Sequence, residues 1–269
     1  MTIEPEVLTD VAVPPTVAPA RPTFGAAKAF LAFVLVFAGQ AVAGIVLLVF
    51  AMAVAMAKGE NAGAPAFAGS LTQKIMVPLL ISGAAVTIVV IWAVARLWAW
   101  DVVLDKTQDG IGLRRAVRSH LLWSSLAGVA LAAVYLTVGR SLVPFDPSTP
   151  VGPLVSAAAA GGINLIAWAV FALAYAPAVE ELFFRGLLFR GFTTSWGPIA
   201  GGFTVTLLFV VMHLFETIHY WPATVAIITL SLATLAARQL TGSIYPAIAV
   251  HGAYNATIVV YAFTIMSGR

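Results

Sequence analysis

The chain has 269 residues, 61% of them hydrophobic and 9% charged, and its mean hydropathy is +0.99. Soluble domains carry about 25% charged residues, so this sequence cannot cover a water-facing surface, and its long continuous apolar runs exclude the alternating pattern of a β-barrel. What remains is an all-α, polytopic transmembrane helix bundle, in which each helix satisfies its own backbone groups. A net charge of +3 is the modest Lys/Arg excess that the positive-inside bias gives a multi-pass protein; it calls for no nucleic-acid partner. The absence of cysteine excludes disulfides, thiolate nucleophiles and Cys-ligated metals.

Residues 1–28 are polar and Pro-rich ("VAVPPTVAPARPTF") and read as a disordered tail rather than a signal peptide. Runs of about 20 apolar residues suffice to cross a bilayer. They are expected near 29–57, 76–99, 121–139, 161–190, 199–218, 222–237 and 243–266. This gives about seven to eight spans, with Pro177 offering a kink or break in the overlong fourth. The segment 100–120 holds Lys106, Arg114, Arg115 and Arg118. It is expected in the cytoplasm, lying on the membrane surface through Val102, Val103, Leu104, Ile111, Leu113 and Val117. That orientation puts the N-terminus inside the cell membrane and the Pro-rich loop 143–153 outside. Three regions follow: the tail 1–28, N-terminal helices with the basic loop over 29–150, and a C-terminal bundle over 151–269.

Ionisable side chains within spans are costly and mark functional sites. In "EELFFR", Glu181 and Arg185 stand four apart with the acid first, the favourable order for a helical ion pair. Glu180 is turned about 100° away, so the pair absorbs one carboxylate and leaves the other for general-base work near neutral pH; the bland alternative is a structural salt bridge. "FVVMH" sets Phe209 and His213 on one helical face, and "HGAYN" does the same for His251 and Asn255. Alone, each fits interhelical hydrogen bonding as well as chemistry. Depth joins them. The turn expected near Gly197 in "TTSWGPIAGG" makes spans four and five a hairpin, which brings Glu180 and His213 to similar depth, with His251 and Asn255 two to three turns into the last span.

The ordered set EExxxR, FxxxH and HxxxN/D resembles the CPBP (Abi) family of membrane-embedded CAAX prenyl-protein and bacteriocin-processing endopeptidases. The likeness covers about 153–266. It implies that Glu180 activates a water with help from His213, that Glu181 orders the site through Arg185, and that His251 and Asn255 steady the oxyanion. Phe209 is expected to contact substrate. A metal-free site is the expectation; divalent zinc held by Glu180, His213 and His251 is the alternative, because two His and one Glu match a catalytic zinc set. The implied partners are the lipid bilayer and a membrane-associated peptide or protein: a CAAX-like tail, a leader peptide or a bacteriocin-related chain. Two other classes compete. One is a non-catalytic scaffold or assembly factor of the same fold, and the other is a transporter using the Glu/His set as a proton relay. The absence of repeat symmetry weighs against the transporter. Glu216 and His219, near a span end, are given a solvated role.

Overall fold

The computed structural model describes residues 24–64, 66–107, 110–143 and 161–267, and all the regular secondary structure in these segments is helical. Helix α1 is Ala26–Ala57 and α2 is Phe67–Trp98. A single turn, α3, spans Trp100–Leu104, and α4 runs Arg118–Gly139 with its last turn a π-turn, Tyr135–Gly139. A long helical run then extends from Gly162 to Thr217 and breaks once, at Gly197, whose φ of 80° and ψ of 169° lie outside the helical region. Only glycine takes that conformation readily, and Pro198 then starts a new helix without needing the N–H it lacks. The run is therefore two helices, α5 over 162–196 and α6 over 198–217. Helix α7 is Trp221–Thr241 and α8 is Ile244–Ser267.

Among the described residues six helical runs are long and apolar enough to cross a membrane, and the break at Gly197 divides the longest, Gly162–Leu214. The protein is thus a multi-pass membrane protein whose helices follow the expected spans closely. Two boundaries differ. Helix α2 starts at Phe67 rather than 76, because small and hydroxyl residues continue the helix where the apolar run has ended. Ser70 and Thr72 bond back to the carbonyls of Phe67 and Ala68, and Lys74 pairs with Glu60 (2.6 Å). Phe24, grouped with the tail by sequence, is 1% exposed and packs in the core. Residues 26–28, also grouped with the tail, form the first turn of α1, because the apolar helix continues back through Ala26, Ala27 and Lys28; residues 1–23 and 144–160 lie outside the described residues.

Segment 100–120 also departs from expectation. Val102 and Ile111 are buried in the main core with Phe183, Phe184 and Leu187, rather than turned to lipid. The loop closes one end of the bundle. Ile111 N–H donates to Val102 O (3.3 Å), Ile244 N–H to Gly112 O (3.0 Å), and Ser243 Oγ to the Arg114 carbonyl (2.7 Å). The Gly197 break sits at the same end, where Ala26 N–H donates to Ser195 Oγ (2.9 Å) and Gln239 Nε2 to Pro198 O (3.3 Å). Lys28, Arg96, Lys106, Arg114, Arg115, Arg118, Arg190 and Arg238 all belong to the segments gathered there. The opposite end has Lys58, Lys74 with its Glu60 partner, and Arg140.

Helices α4, α7 and α8 form the second core, around Ala132, Leu230, Val250 and Tyr254. There α4 approaches α8 backbone to backbone. A Cβ at Gly128 would collide with the Val250 carbonyl and lie 3.0 Å from Tyr254 N. Gly128→Ala should therefore cost about 1–3 kcal/mol by overpacking, read as a lower unfolding midpoint in detergent. Gly83→Ala, where a Cβ meets nothing within 4 Å, should leave the midpoint unchanged or slightly raised.

Candidate active site

The two adjacent glutamates look in different directions because neighbouring positions on a helix stand about 100° apart. Glu181 faces α8 and Glu180 faces α6. The α-helical turn that carries them, Ala176–Glu181, is set between two π-turn segments, Phe171–Tyr175 and Leu182–Leu188. Such widened turns are rare and recur at functional sites. Pro177 does not break α5. It widens it: the Ala176 N–H bonds to Phe171 O, five residues back. The next acceptor in that pattern, Ala172 O, would face Pro177, which has no N–H. Asn255 Nδ2 of α8 supplies the missing donor at 2.8 Å. A carbonyl left unpartnered at this depth would cost several kcal/mol, so Asn255 closes α5 with one of its two amide hydrogens and keeps the other.

Glu181 and Arg185 are both fully buried, with Arg185 Nε 3.2 Å from Glu181 Oε2. The two atoms are within ion-pair distance but off the line of a hydrogen bond. The guanidinium is held elsewhere: Nη2 donates to the Ser231 carbonyl (3.0 Å) and hydroxyl (2.9 Å) of α7, and Cζ lies 4.4 Å from the centroid of the Phe209 ring. The second carboxylate oxygen, Glu181 Oε1, accepts from His251 Nδ1 at 2.9 Å. This fixes the imidazole with its Nε2 edge away from Glu181, on the wall of the cavity described below. Glu181 thus ties α5 to α8, and Arg185 ties α5 to α7.

His213 is oriented from its own helix. Its Nδ1 is 2.9 Å from the Phe209 carbonyl; a carbonyl only accepts, so Nδ1 carries the proton. Nε2 then points at Glu180 Oε2, 3.8 Å away. That oxygen is itself buried, with no hydrogen-bond partner among the described residues. The gap is too long for a direct bond, but one water placed beside it reaches both atoms. Phe209 is fully buried yet stands among the residues that line the cavity described below, and its ring also supports the two imidazoles. Its ring centroid lies 4.5 Å from that of His213 and 6.2 Å from that of His251.

A cavity of about 490 Å³ joins these groups. Glu180, His213, His251 and Asn255 line it, whereas Glu181 and Arg185 stand behind the wall. Two polar lining residues were missed in the sequence, Gln40 of α1 and Thr87 of α2. Gln40 Nε2 donates to Thr87 Oγ1 (2.8 Å), and Thr87 donates to Gly83 O (2.9 Å). The signal was available: between Ala29 and Ala57, Gln40 is the one side chain able to hydrogen-bond. Tyr175, also on the wall, donates to Ala84 O of α2 (3.2 Å).

Among the described residues no three His, Cys, Asp or Glu side chains come together as a ligand group, the trio Glu180, His213 and His251 included. His251 is engaged by Glu181, and Glu180 and His213 stand as a pair.

A helical membrane protein with a buried Glu/His/Asn cavity is thus the class that fold and geometry define. The family model described as "Type II CAAX prenyl endopeptidase Rce1-like" matches residues 162–257. Those residues contain every motif position named above and bear out the resemblance to the CPBP family of membrane proteases. No curated protein and no solved structure matches the chain.

The buried pair generates a test. Glu181→Gln or Arg185→Met alone leaves an uncompensated charge and should lower stability by about 3–5 kcal/mol, while the double variant should lose much less than the sum. Detergent unfolding of the four proteins measures this, and strictly additive losses would show that the two residues do not act as a pair.

Proposed function

We propose that this protein is an intramembrane endopeptidase that hydrolyses a peptide bond in a membrane-associated polypeptide, with Glu180 as the general base. One observation carries the reading. A carboxylate oxygen that is buried and unbonded lies across 3.8 Å from an imidazole nitrogen, on the wall of a cavity within the Rce1-like segment.

A water at that gap donates one hydrogen to Glu180 and the other to His213 Nε2, which turns its oxygen lone pairs towards the cavity. As the oxygen attacks the substrate carbonyl carbon, its proton passes to Glu180. The remaining amide hydrogen of Asn255 and the Nε2 edge of His251 face the oxyanion that develops. The proton on Glu180 then transfers to the leaving nitrogen as the C–N bond breaks, giving a carboxylic acid and an amine. The Glu181 carboxylate that accepts from His251 Nδ1 fixes the orientation of that ring. Glu181, Arg185 and Phe209 act as positioning residues.

The side chains provide a base, an orienting imidazole and oxyanion donors by themselves, so we assign a metal-free reaction. Glu180→Gln should lower cleavage by about 10²- to 10⁴-fold, the usual share of a general base, with the unfolding midpoint nearly unchanged. Peptide ends of the membrane proteome, compared between cells making wild type and Glu180→Gln at matched levels, name the substrates. Identical ends in both would leave the non-catalytic scaffold. Wild-type cleavage of a peptide found this way should withstand 1,10-phenanthroline; loss of activity that zinc restores would overturn the metal-free assignment.

The gathering of cations at the Gly197 end supports an orientation with that end and the N-terminus in the cytoplasm. The chain has no cysteine, so single cysteines report sidedness cleanly. In intact cells an impermeant maleimide should label Lys58→Cys and spare Arg115→Cys; the reverse pattern inverts the topology.

A further inference from the structure

Gln40 is a polar side chain that the proposed reaction leaves unused, and it stands on the wall of the same cavity. A carboxamide inside a span is costly unless its groups are hydrogen-bonded. One amide hydrogen of Gln40 goes to Thr87 Oγ1 (2.8 Å), and Thr87, itself 5% exposed, donates to Gly83 O (2.9 Å). The carboxamide is thereby fixed, while its Oε1 and second amide hydrogen bond to no other described residue. The helices do not need this bond to associate. Gly39 and Gly44 let α1 lie directly on α2: a Cβ would stand 2.8 Å from Val86 Cγ1 at the first and 3.6 Å from Leu79 Cδ1 at the second. Such close packing by small residues joins helices in lipid. Helix α2 meets α5 through bonds of its own, from Asn164 Nδ2 to Gln73 O (3.0 Å) and from Tyr175 to Ala84 O.

Thr87 also lies beside Tyr175, and Tyr175 is near enough to Glu180 for that charge to act on it. Gln40, Thr87, Tyr175 and Glu180 therefore form a connected polar strip from α1 across α2 to α5. Phe37, Met76 and Leu80, from the same α1 and α2, line the cavity with apolar surface instead. A polypeptide drawn from the bilayer has the same division: its side chains are apolar, and its backbone carries N–H and C=O groups that lipid cannot satisfy. We propose, resting on the endopeptidase reading above, that the Gln40 carboxamide binds the substrate backbone beside the bond to be cut. Oε1 accepts a peptide N–H and Nε2 donates to a peptide C=O, with Thr87 as the positioning residue. The substrate segment is then extended and unpaired, since a residue within a helix has both groups already bonded. Recognition by Gln40 is also independent of side-chain identity.

Because such a contact reads only backbone, an arbitrary apolar peptide serves as the probe: dansyl-Leu-Ala-Leu-Ala-Leu-amide, with analogues in which one amide N–H at a time gives way to an ester oxygen. The full chain carrying Glu180→Gln is titrated with each in detergent by fluorescence anisotropy, with and without Gln40→Leu. Partition into micelles is common to both proteins and cancels. Gln40→Leu should weaken the all-amide peptide about 10-fold, the share of two neutral hydrogen bonds. One ester analogue should bind the Gln40 protein about 3- to 10-fold more weakly than the all-amide peptide, with no such loss in the Gln40→Leu protein. The peptide-free unfolding midpoint of Gln40→Leu should be unchanged or higher; a lower midpoint means glue between α1 and α2 and overturns the role. If Gln40→Leu shows no unfolding transition, Thr87→Val replaces it, which frees the carboxamide to turn and should still weaken the all-amide peptide. Equal affinity of the two proteins for that peptide, ester losses undiminished in Gln40→Leu, or no saturable binding to either protein would also overturn it. Nothing is cut in these titrations, so they stand apart from the comparison of peptide ends: a missing Gln40 effect leaves cleavage by Glu180 in place, and a chain that never cleaves still shows or lacks the Gln40 effect.

Discussion

Everything in the C-terminal half is organised around one fully buried carboxylate. Glu181 receives Arg185 on one oxygen and His251 on the other, and through them α5 is bound to both α7 and α8. Two charges at this depth are tolerable only together, because desolvation penalises each of them and an isolated ion is far costlier than a pair. The constraint propagates outward. Arg185 needs Ser231 to satisfy its second donor and the Phe209 ring to cover its face; Phe209 in turn fixes the planes of both histidines. Glu180 stands outside this arrangement, with Oε2 buried and without a hydrogen-bond partner among the described residues.

The backbone contributes as much as the charges. A plain α-helix through Pro177 would place Glu180, Glu181 and Arg185 on a regular spiral. The π-turns on either side change their bearings, so that adjacent glutamates reach different helices while Arg185 still meets Glu181. Widening has a cost in backbone partners. Asn255 meets it at Ala172, and Arg238 donates to the carbonyl of Arg185. Asn255 is structural towards α5 and also lines the cavity, so deleting the side chain cannot separate its structural part from the chemical one proposed for it.

Spans and motif pairings were legible in the sequence because they rest on local rules: apolar length, i to i+4 spacing, and a glycine at the hairpin. Glu181 was readable as the partner of Arg185 from order and angle alone. What the sequence hid depends on neighbours far along the chain. The burial of Val102 and Ile111 could not be told from a surface-lying amphipathic segment, since apolar residues suit both lipid and protein core. Phe209 was read as a substrate contact, and its further place between two imidazoles depends on the crossing of α6 and α8. Pro177 was read as a kink or break because the rule for proline counts the lost hydrogen bond but not the distant amide that replaces it.

Gln40 and Thr87 extend the site beyond the matched segment. They lie on α1 and α2, outside 162–257, yet they line the same cavity as Glu180 and His213. Their mutual bond fixes the Gln40 carboxamide and leaves its oxygen and one hydrogen for another partner. An extended peptide offers one N–H and one C=O per residue, and a rigid amide matches both. The Rce1-like segment thus holds the groups to which the proposed reaction is assigned, while the helices that precede it supply a polar wall that would suit a peptide backbone. A polar pair this deep in lipid is costly unless it has such a partner or serves as interhelical glue; the cavity beside it favours the first role.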